Sequence, residues 1–246
     1  METGTTLRLL YEEEKMTDLQ IGERLGMSEH KIGRLRRYGI RTIKRVDRNI
    51  ICPVATQMQV LVGCLLGDGS ISKTTKSCKQ RGPVECESVF ECSHGQKQHG
   101  YLWWKYRLFQ SWCRREPTPI ENNKLRMRSV SSQYFSELRR EWYPQGVKIV
   151  PDSVRRHLTP MALAVWYMDD GHFSKTGAVR FCTCAFTQSD CEMLARWLAS
   201  DFDVVANVRT YGGYNYLYIP AASQISFFKI IKPFVLPLFN YKVKHG

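Results

Sequence analysis

The stretch "LTPMALAVWYMDDGHF" (residues 158–173) sets an apolar, helix-length run against two adjacent carboxylates and a glycine. Its leading edge is well formed: Thr159 can cap a helix, and Pro160 falls at the first helical position, where its missing N–H costs nothing. The trailing edge is not. Asp169 and Asp170 face the negative end of the helix macrodipole, where carboxylates cost stability. Acids placed against stability point to a purpose other than folding.

A second copy supplies their context. "ATQMQVLVGCLLGDGSI" (55–71) repeats the pattern, with Thr56 as a cap, an apolar run, and then Asp68 followed by Gly69. Asp68 aligns with Asp170, 102 residues later, so Asp169 aligns with Gly67. Gly69 and Gly171 read as left-handed caps that end the two helices. Downstream, "VFECSHGQKQHGYL" (89–102) parallels "VRFCTCAFTQSDCEML" (179–194): a strand, a polar turn, then a helix. "LRMRSVSSQYFSELRREWYPQGVK" (125–148) parallels "VRTYGGYNYLYIPAASQISFFKIIKPFVLPLFNYK" (208–242), with Lys148 and Lys242 in matching places. Each half therefore reads as α-β-β-α over about 90 residues. A basic insertion, "KTTKSCKQRGP" (73–83), falls in the first half.

Two equivalent halves predict a pseudo-dimer with the motif helices side by side on a local two-fold axis. Gly63 and Ala164 are small enough for the backbones to approach. Asp68 and Asp170 then meet at the helix ends, where the backbone carbonyls of Gly67 and Asp169 add negative potential. Such a cluster needs a cation, and hard oxygen donors select Mg²⁺, with Mn²⁺ or Ca²⁺ as substitutes. Beside a basic surface, a site of this kind implies metal-assisted phosphodiester hydrolysis, one cut per strand. Lys148 and Lys242 are placed to polarise water or stabilise the transition state.

The bulk composition agrees. A net charge of +13 points to a polyanionic partner, and the basic residues sit in an aromatic-rich, folded sequence rather than a tail, which favours nucleic acid over a membrane surface. No stretch reaches the roughly 20 apolar residues of a membrane span. "METGTTLRLLYEEEK" (1–15) does not read as a targeting segment, and nine cysteines are an odd number. Reduced thiols in an intracellular compartment, a bacterial cytoplasm or an organelle matrix, are the expectation. The spacing of Cys78, Cys86, Cys92 and His94 fits no standard zinc site, and Cys182 and Cys184 are expected to be buried on one face of a strand.

Strand alternation supplies candidate DNA contacts. Lys124, Arg126 and Arg128 share one face, as do Asn207, Arg209 and Tyr211, and Tyr216 and Tyr218, with Arg180 joining them from "VRFC". At the N-terminus, "MTDLQIGERLGMSEHKIGRLRRYGI" (16–40) has the pattern of a helix-turn-helix. Thr17 and Ser28 are its caps, and Ile21, Leu25, Met27, Ile32 and Leu35 are its apolar positions. His30, Lys31, Arg34 and Arg37 face outward on the second helix, and segment 28–48 holds eight basic and two acidic residues. The domains expected are a helix-turn-helix at 1–45, a linker at 46–55, and two halves at 56–155 and 156–246.

"LVGCLLGDG" (61–69) and "LAVWYMDDG" (163–171) resemble the two motifs of single-chain LAGLIDADG homing endonucleases. "LTPMALAVWYMDDG" and "IIKPFVLPLFNYK" (230–242) are similar to the omega-intron branch of that family. The resemblance implies an α+β fold, a pseudo-two-fold pair of αββαββα halves forming a saddle over DNA, beside the small all-α N-terminal domain. It implies a monomer that cuts double-stranded DNA with a divalent metal and leaves 3′ overhangs. Asp68 and Asp170 would ligate the metal, and Lys148 and Lys242 would be the basic catalytic residues. Leu66 departs from the motif, and Val165, where glycine is usual, implies a wider helix crossing. An RNA maturase bound to its intron RNA, or a DNA-binding regulator on an inert endonuclease scaffold, are the alternatives.

Overall fold

The sequence repeat becomes a structural repeat in the computed structural model, which describes residues 51–74 and 87–243 together with Thr17, Gln20, Ile21, Glu23 and Ile32. The chain divides into units Met1–Ile51 and Cys52–Gly246. The second unit begins with helix α1 (Ala55–Leu66), strands β1 (Ser70–Lys73) and β2 (Ser88–Gly95), and helix α2 (His99–Phe109). Strands β3 (Thr118–Ile120) and β4 (Lys124–Arg128) and helix α3 (Gln133–Trp142) complete the first half. The order then recurs as α4 (Pro160–Asp170), β5 (Gly171–Phe173), β6 (Val179–Cys182), α5 (Gln188–Phe202), β7 (Asn207–Tyr211), β8 (Tyr214–Ile219) and α6 (Ala221–Ile231). Each half is αββαββα.

The two sheets have the same topology, β1-β2-β4-β3 and β5-β6-β8-β7, with every pairing antiparallel. Glu91 pairs with Arg128 where Arg180 pairs with Tyr218, so β4 corresponds to β8. The sequence comparison opened on 125–128 and 208–211, which lie on β4 and β7 and are not equivalent strands. Both alternate polar and apolar residues, and alternation alone does not distinguish a central strand from its neighbour.

One face of each sheet packs on helices. Ile71, Phe90, Cys92 and Met127 turn inward in the first half, and Val179, Phe181, Leu217 and Ile219 in the second. Edge-to-face ring contacts tie sheet to helix, as between Phe90 and Phe109 and between Phe181 and Phe227. Helices α1 and α4 pack against each other along their buried lengths. A Cβ added to Gly63 would stand 2.6 Å from both the Ala162 carbonyl oxygen and the Val165 Cβ. Val165 therefore does not hold the helices apart, because Gly63 leaves the room that its side chain fills.

The helix ends differ in detail from the expected ones. Thr159 caps α4, accepting from the Ala162 N–H at 3.3 Å, with Pro160 in the first turn. Helix α1 starts two residues earlier than a Thr56 cap would place it, so Thr56 lies inside the first turn, and Gln57 Oε1 accepts the Val54 N–H at 3.1 Å instead. Neither Gly69 nor Gly171 is left-handed. Both are required for space: a Cβ at Gly69 would strike the Cys64 carbonyl, and one at Gly171 the Tyr167 ring. Cys182 and Cys184 are exposed rather than buried, with sulfurs 3.3 Å apart. Cys182 falls on the open face of β6 and Cys184 lies past its end, a distinction that spacing by two does not make.

In the N-terminal unit, Thr17 Oγ1 accepts the Gln20 N–H at 3.3 Å while Gln20 Oε1 accepts the Thr17 N–H at 2.8 Å, a reciprocal helix cap. Ile21 and Ile32 are buried, as apolar positions should be. His30, Lys31, Arg34, Arg37, Ser28, Cys78, Cys86 and most of the 73–83 insertion lie outside the described residues. Among the described residues, no helix is long and apolar enough to cross a membrane.

Gly63→Ala is expected to lower the unfolding free energy by about 1–3 kcal/mol, the usual effect of overpacking a tight interior contact. Urea unfolding measures it, and an unchanged midpoint would contradict the close crossing.

Candidate active site

The two motif ends meet. The Gly67 N–H closes α1 on the carbonyls of Gly63 and Cys64, both at 3.1 Å. The next N–H, that of Asp68, points across to Asp169 Oδ2 at 3.3 Å. A Cβ on Gly67 would stand 2.5 Å from the Asp169 Cβ, so only glycine fits there. Gly67 matters first as space for its counterpart in the other motif.

The Asp169 side chain is fully buried and turned away from solvent. Lys105, on α2, donates to its two oxygens at 2.8 and 3.0 Å. That ammonium is itself completely enclosed, 3.0 Å from His94 Nε2 and 4.1 Å above the Tyr101 ring. His94 Nδ1 lies 3.1 Å from Gln98 Oε1 and 3.6 Å from Asp68 Oδ2. Sequence reasoning missed Lys105, and weighed His94 only as a zinc ligand beside the cysteines and not as a neighbour of the paired acids. Their signals were present: a lysine among the aromatic residues of "YLWWKYRLF", and a histidine at a strand end in "FECSH".

The other two lysines lie where the repeat placed them. Lys148 Nζ donates to the Gly69 carbonyl at 3.2 Å. Lys242 Nζ donates to the Met168 carbonyl at 2.9 Å and to the Asp169 carbonyl at 3.4 Å. The Asp169 carbonyl, expected as a free metal donor, thus has an ammonium against it.

The electrostatics follow from crowding acids in a half-dry site. Asp170 is raised to about 7, by burial first and then by the charges of Asp68 and Asp169. Asp68, although its side chain is 41% exposed, is also raised, by partial burial and then Asp169. Burial lowers Lys148 to about 8 and lowers Lys242 as well. Burial and then the Lys105 charge drop His94 to about 3, so its imidazole is neutral. Burial alone would lower Lys105 too, but Asp169 together with Cys64 and Cys92 outweighs it and carries the ammonium upward. Asp68 and Asp170 are thus two hard oxygen donors whose ionisation is held back for want of positive charge, which fits a Mg²⁺-type cation.

The open sheet faces carry the remaining candidates. Lys124 and Arg128 are exposed and Arg126 half-buried on β4, with Arg128 3.7 Å from Glu91. In the second sheet, the Arg209 guanidinium lies 3.6 Å over the Tyr218 ring, and Arg180 lies 5.6 Å over Tyr216. Asn207 is exposed, and Tyr211 is 83% exposed near the β7–β8 turn.

This fold, with paired acids at crossed helix ends, is matched by known proteins. The chain belongs to the LAGLIDADG DNA endonuclease family, whose model matches residues 58–227. The DNA endonuclease I-ChuI of Chlamydomonas applanata is 29% identical over 216 residues, covering 77% of this chain and 95% of that relative. The cytochrome b mRNA maturase bI2 of Debaryomyces hansenii is 28% identical over 219 residues, covering 82% and 79%. The homing endonuclease I-WcaI, solved bound to its DNA recognition sequence, shares the fold with a TM-score of 0.68 over 80% of this chain and 89% of that one, at 20% identity.

With Asp170 protonated below about pH 7, a divalent cation must displace that proton to bind. Affinity for Ca²⁺ or Mg²⁺ is therefore expected to rise with pH, by up to about tenfold per unit, and to level off above pH 7. Calorimetry in buffers of different ionisation enthalpy reads both affinity and proton release. Constant affinity from pH 5.5 to 8 would contradict the assignment.

Proposed function

We propose that this chain is a site-specific endonuclease that cuts both strands of a DNA target with a divalent metal, Mg²⁺ or Mn²⁺. It leaves 3′ overhangs and so promotes the mobility of an intron or intein-type element. The observation that carries this reading is the meeting of the two motif ends, with Lys148 bonded to the Gly69 carbonyl and Lys242 to the Met168 carbonyl beside Asp68 and Asp170. Asp68 and Asp170 would hold the metal, which when bound supplies charge neutralisation at the scissile phosphate and Lewis acidity toward water. Asp169 and Gly67 border the same place. Lys148, lowered to about 8, and Lys242 keep positive charge at the point where the transition state gathers negative charge.

The sheets divide the recognition. Lys124, Arg126 and Arg128 favour phosphates, whereas Arg180, Asn207, Arg209, Tyr211, Tyr216 and Tyr218 offer donors and rings to base edges. His30, Lys31, Arg34 and Arg37 would add contacts from an N-terminal helix-turn-helix. The protein acts as a monomer in an intracellular, reducing compartment. A second reading, an RNA maturase that assists splicing of its intron, is supported by the identity with the bI2 maturase.

Purified protein with Mg²⁺ and the intronless form of its host locus is expected to produce a double-strand break, and Asp68→Asn or Asp170→Asn to slow it by about a hundredfold or more. No break with the wild-type protein, together with retained splicing assistance, would favour the maturase reading. Replacing Lys124, Arg126 and Arg128 together by alanine should reduce the slope of log affinity against log salt by about 3, as counterion release predicts. An unchanged slope would remove these residues from the phosphate contacts.

A further inference from the structure

We infer that Lys105 is a positioning residue of the catalytic centre: a built-in cation that occupies the Asp68–His94–Asp169 cluster, keeps metal out of it, and sets the turn that presents Asp68. This rests on the endonuclease reading for its consequence but not for its geometry.

One ligand atom from each of Asp68, His94 and Asp169 lies within 4.8 Å of the others, a donor set that a transition metal such as Zn²⁺ would take. The Lys105 ammonium already stands among these donors, at 2.8 and 3.0 Å from the Asp169 oxygens and 3.0 Å from His94 Nε2. An ammonium only donates, so Nε2 must offer its lone pair and Nδ1 must carry the ring proton. Gln98 Oε1, 3.1 Å from Nδ1, is the acceptor that this tautomer needs. A neutral imidazole has one lone pair, and Lys105 takes it. Both Asp169 oxygens are likewise engaged, Oδ2 by the Asp68 N–H as well.

The positioning follows from the same bonds. Lys105 holds the Asp169 carboxylate, and that carboxylate receives the main-chain N–H of Asp68. The first turn beyond α1 is thereby fixed by the second motif, while the Asp68 side chain keeps its outward, 41% exposed position. Tyr101 closes the cage, with its ring under the ammonium and its hydroxyl donating to the Val165 carbonyl at 3.3 Å. Gly67 is the counterpart of Asp169 in the first motif, so the second half has no matching ion pair at that position.

The test uses the full chain with Lys105→Ala, which opens the ammonium's place, and Lys105→Arg, which keeps a cation there. Co²⁺ and Zn²⁺ serve as probes of the cluster and Ca²⁺ as a probe of the Asp68–Asp170 pair. Lys105→Ala is expected to gain Co²⁺ absorption of a nitrogen-ligated site and to bind Zn²⁺ at least about a hundredfold more tightly than wild type, and to lose about tenfold in Ca²⁺ affinity. Lys105→Arg should show neither change. If Lys105→Ala is unfolded alone, refolding on Co²⁺ with that spectrum supports the inference, and failure to refold or bind Co²⁺ overturns it. In a folded Lys105→Ala protein, wild-type Zn²⁺ or Ca²⁺ affinity overturns it. None of these readouts needs DNA cleavage, so failure of the nuclease assay and failure of this inference are distinguishable.

Discussion

The close passage of α1 past α4 is the constraint on which the rest depends. Glycine at positions 63 and 67 lets two helix ends meet that each bring acidic side chains, and in a half-dry site those charges oppose one another. The protein resolves the conflict unequally. Asp169 is neutralised from within, by a lysine that never reaches solvent. Asp68 and Asp170 have only partial compensation from Lys148 and Lys242, themselves lowered by burial. One carboxylate serves the architecture, and two retain an unmet demand for positive charge, which is the electrostatic condition for binding a hard cation.

Much of this was legible in the residues because it was written twice. The paired acids, their trailing lysines and an α-β-β-α order each recur about a hundred residues apart, and recurrence separates them from chance turns, whereas the full αββαββα order followed only from the family resemblance. What was written once was harder to read. Asp169 has no acidic counterpart, and its partner Lys105 lies 64 positions earlier on another helix, a relation no local spacing encodes. Strand equivalence was misjudged for the opposite reason: β4 and β7 look alike because both alternate. Thr56 failed as a cap because the helix starts at Ala55, a two-residue difference of the kind that patterns rarely settle.

The two open sheet faces are chemically distinct although topologically identical. At matching register, the first sheet carries Arg126 and Arg128 where the second carries Tyr216 and Tyr218. In the second sheet the cations come from neighbouring strands and lie over the tyrosine rings, so guanidinium and ring are held as flat, stiff units. Point charges suit phosphates at any sequence, and oriented planes suit particular base edges.

The link between Lys105 and Asp169 also bears on whether the two halves are interchangeable. Two copies of the first half joined as a symmetric dimer would set each buried lysine opposite a Gly67 rather than an aspartate. Each enclosed ammonium would then lack its counter-ion, a defect of about 3–5 kcal/mol for one broken buried pair. Two copies of the second half would leave Asp169 equally unmatched. The two halves are therefore complementary parts and not interchangeable ones, and the buried Lys105–Asp169 pair makes their separation costly.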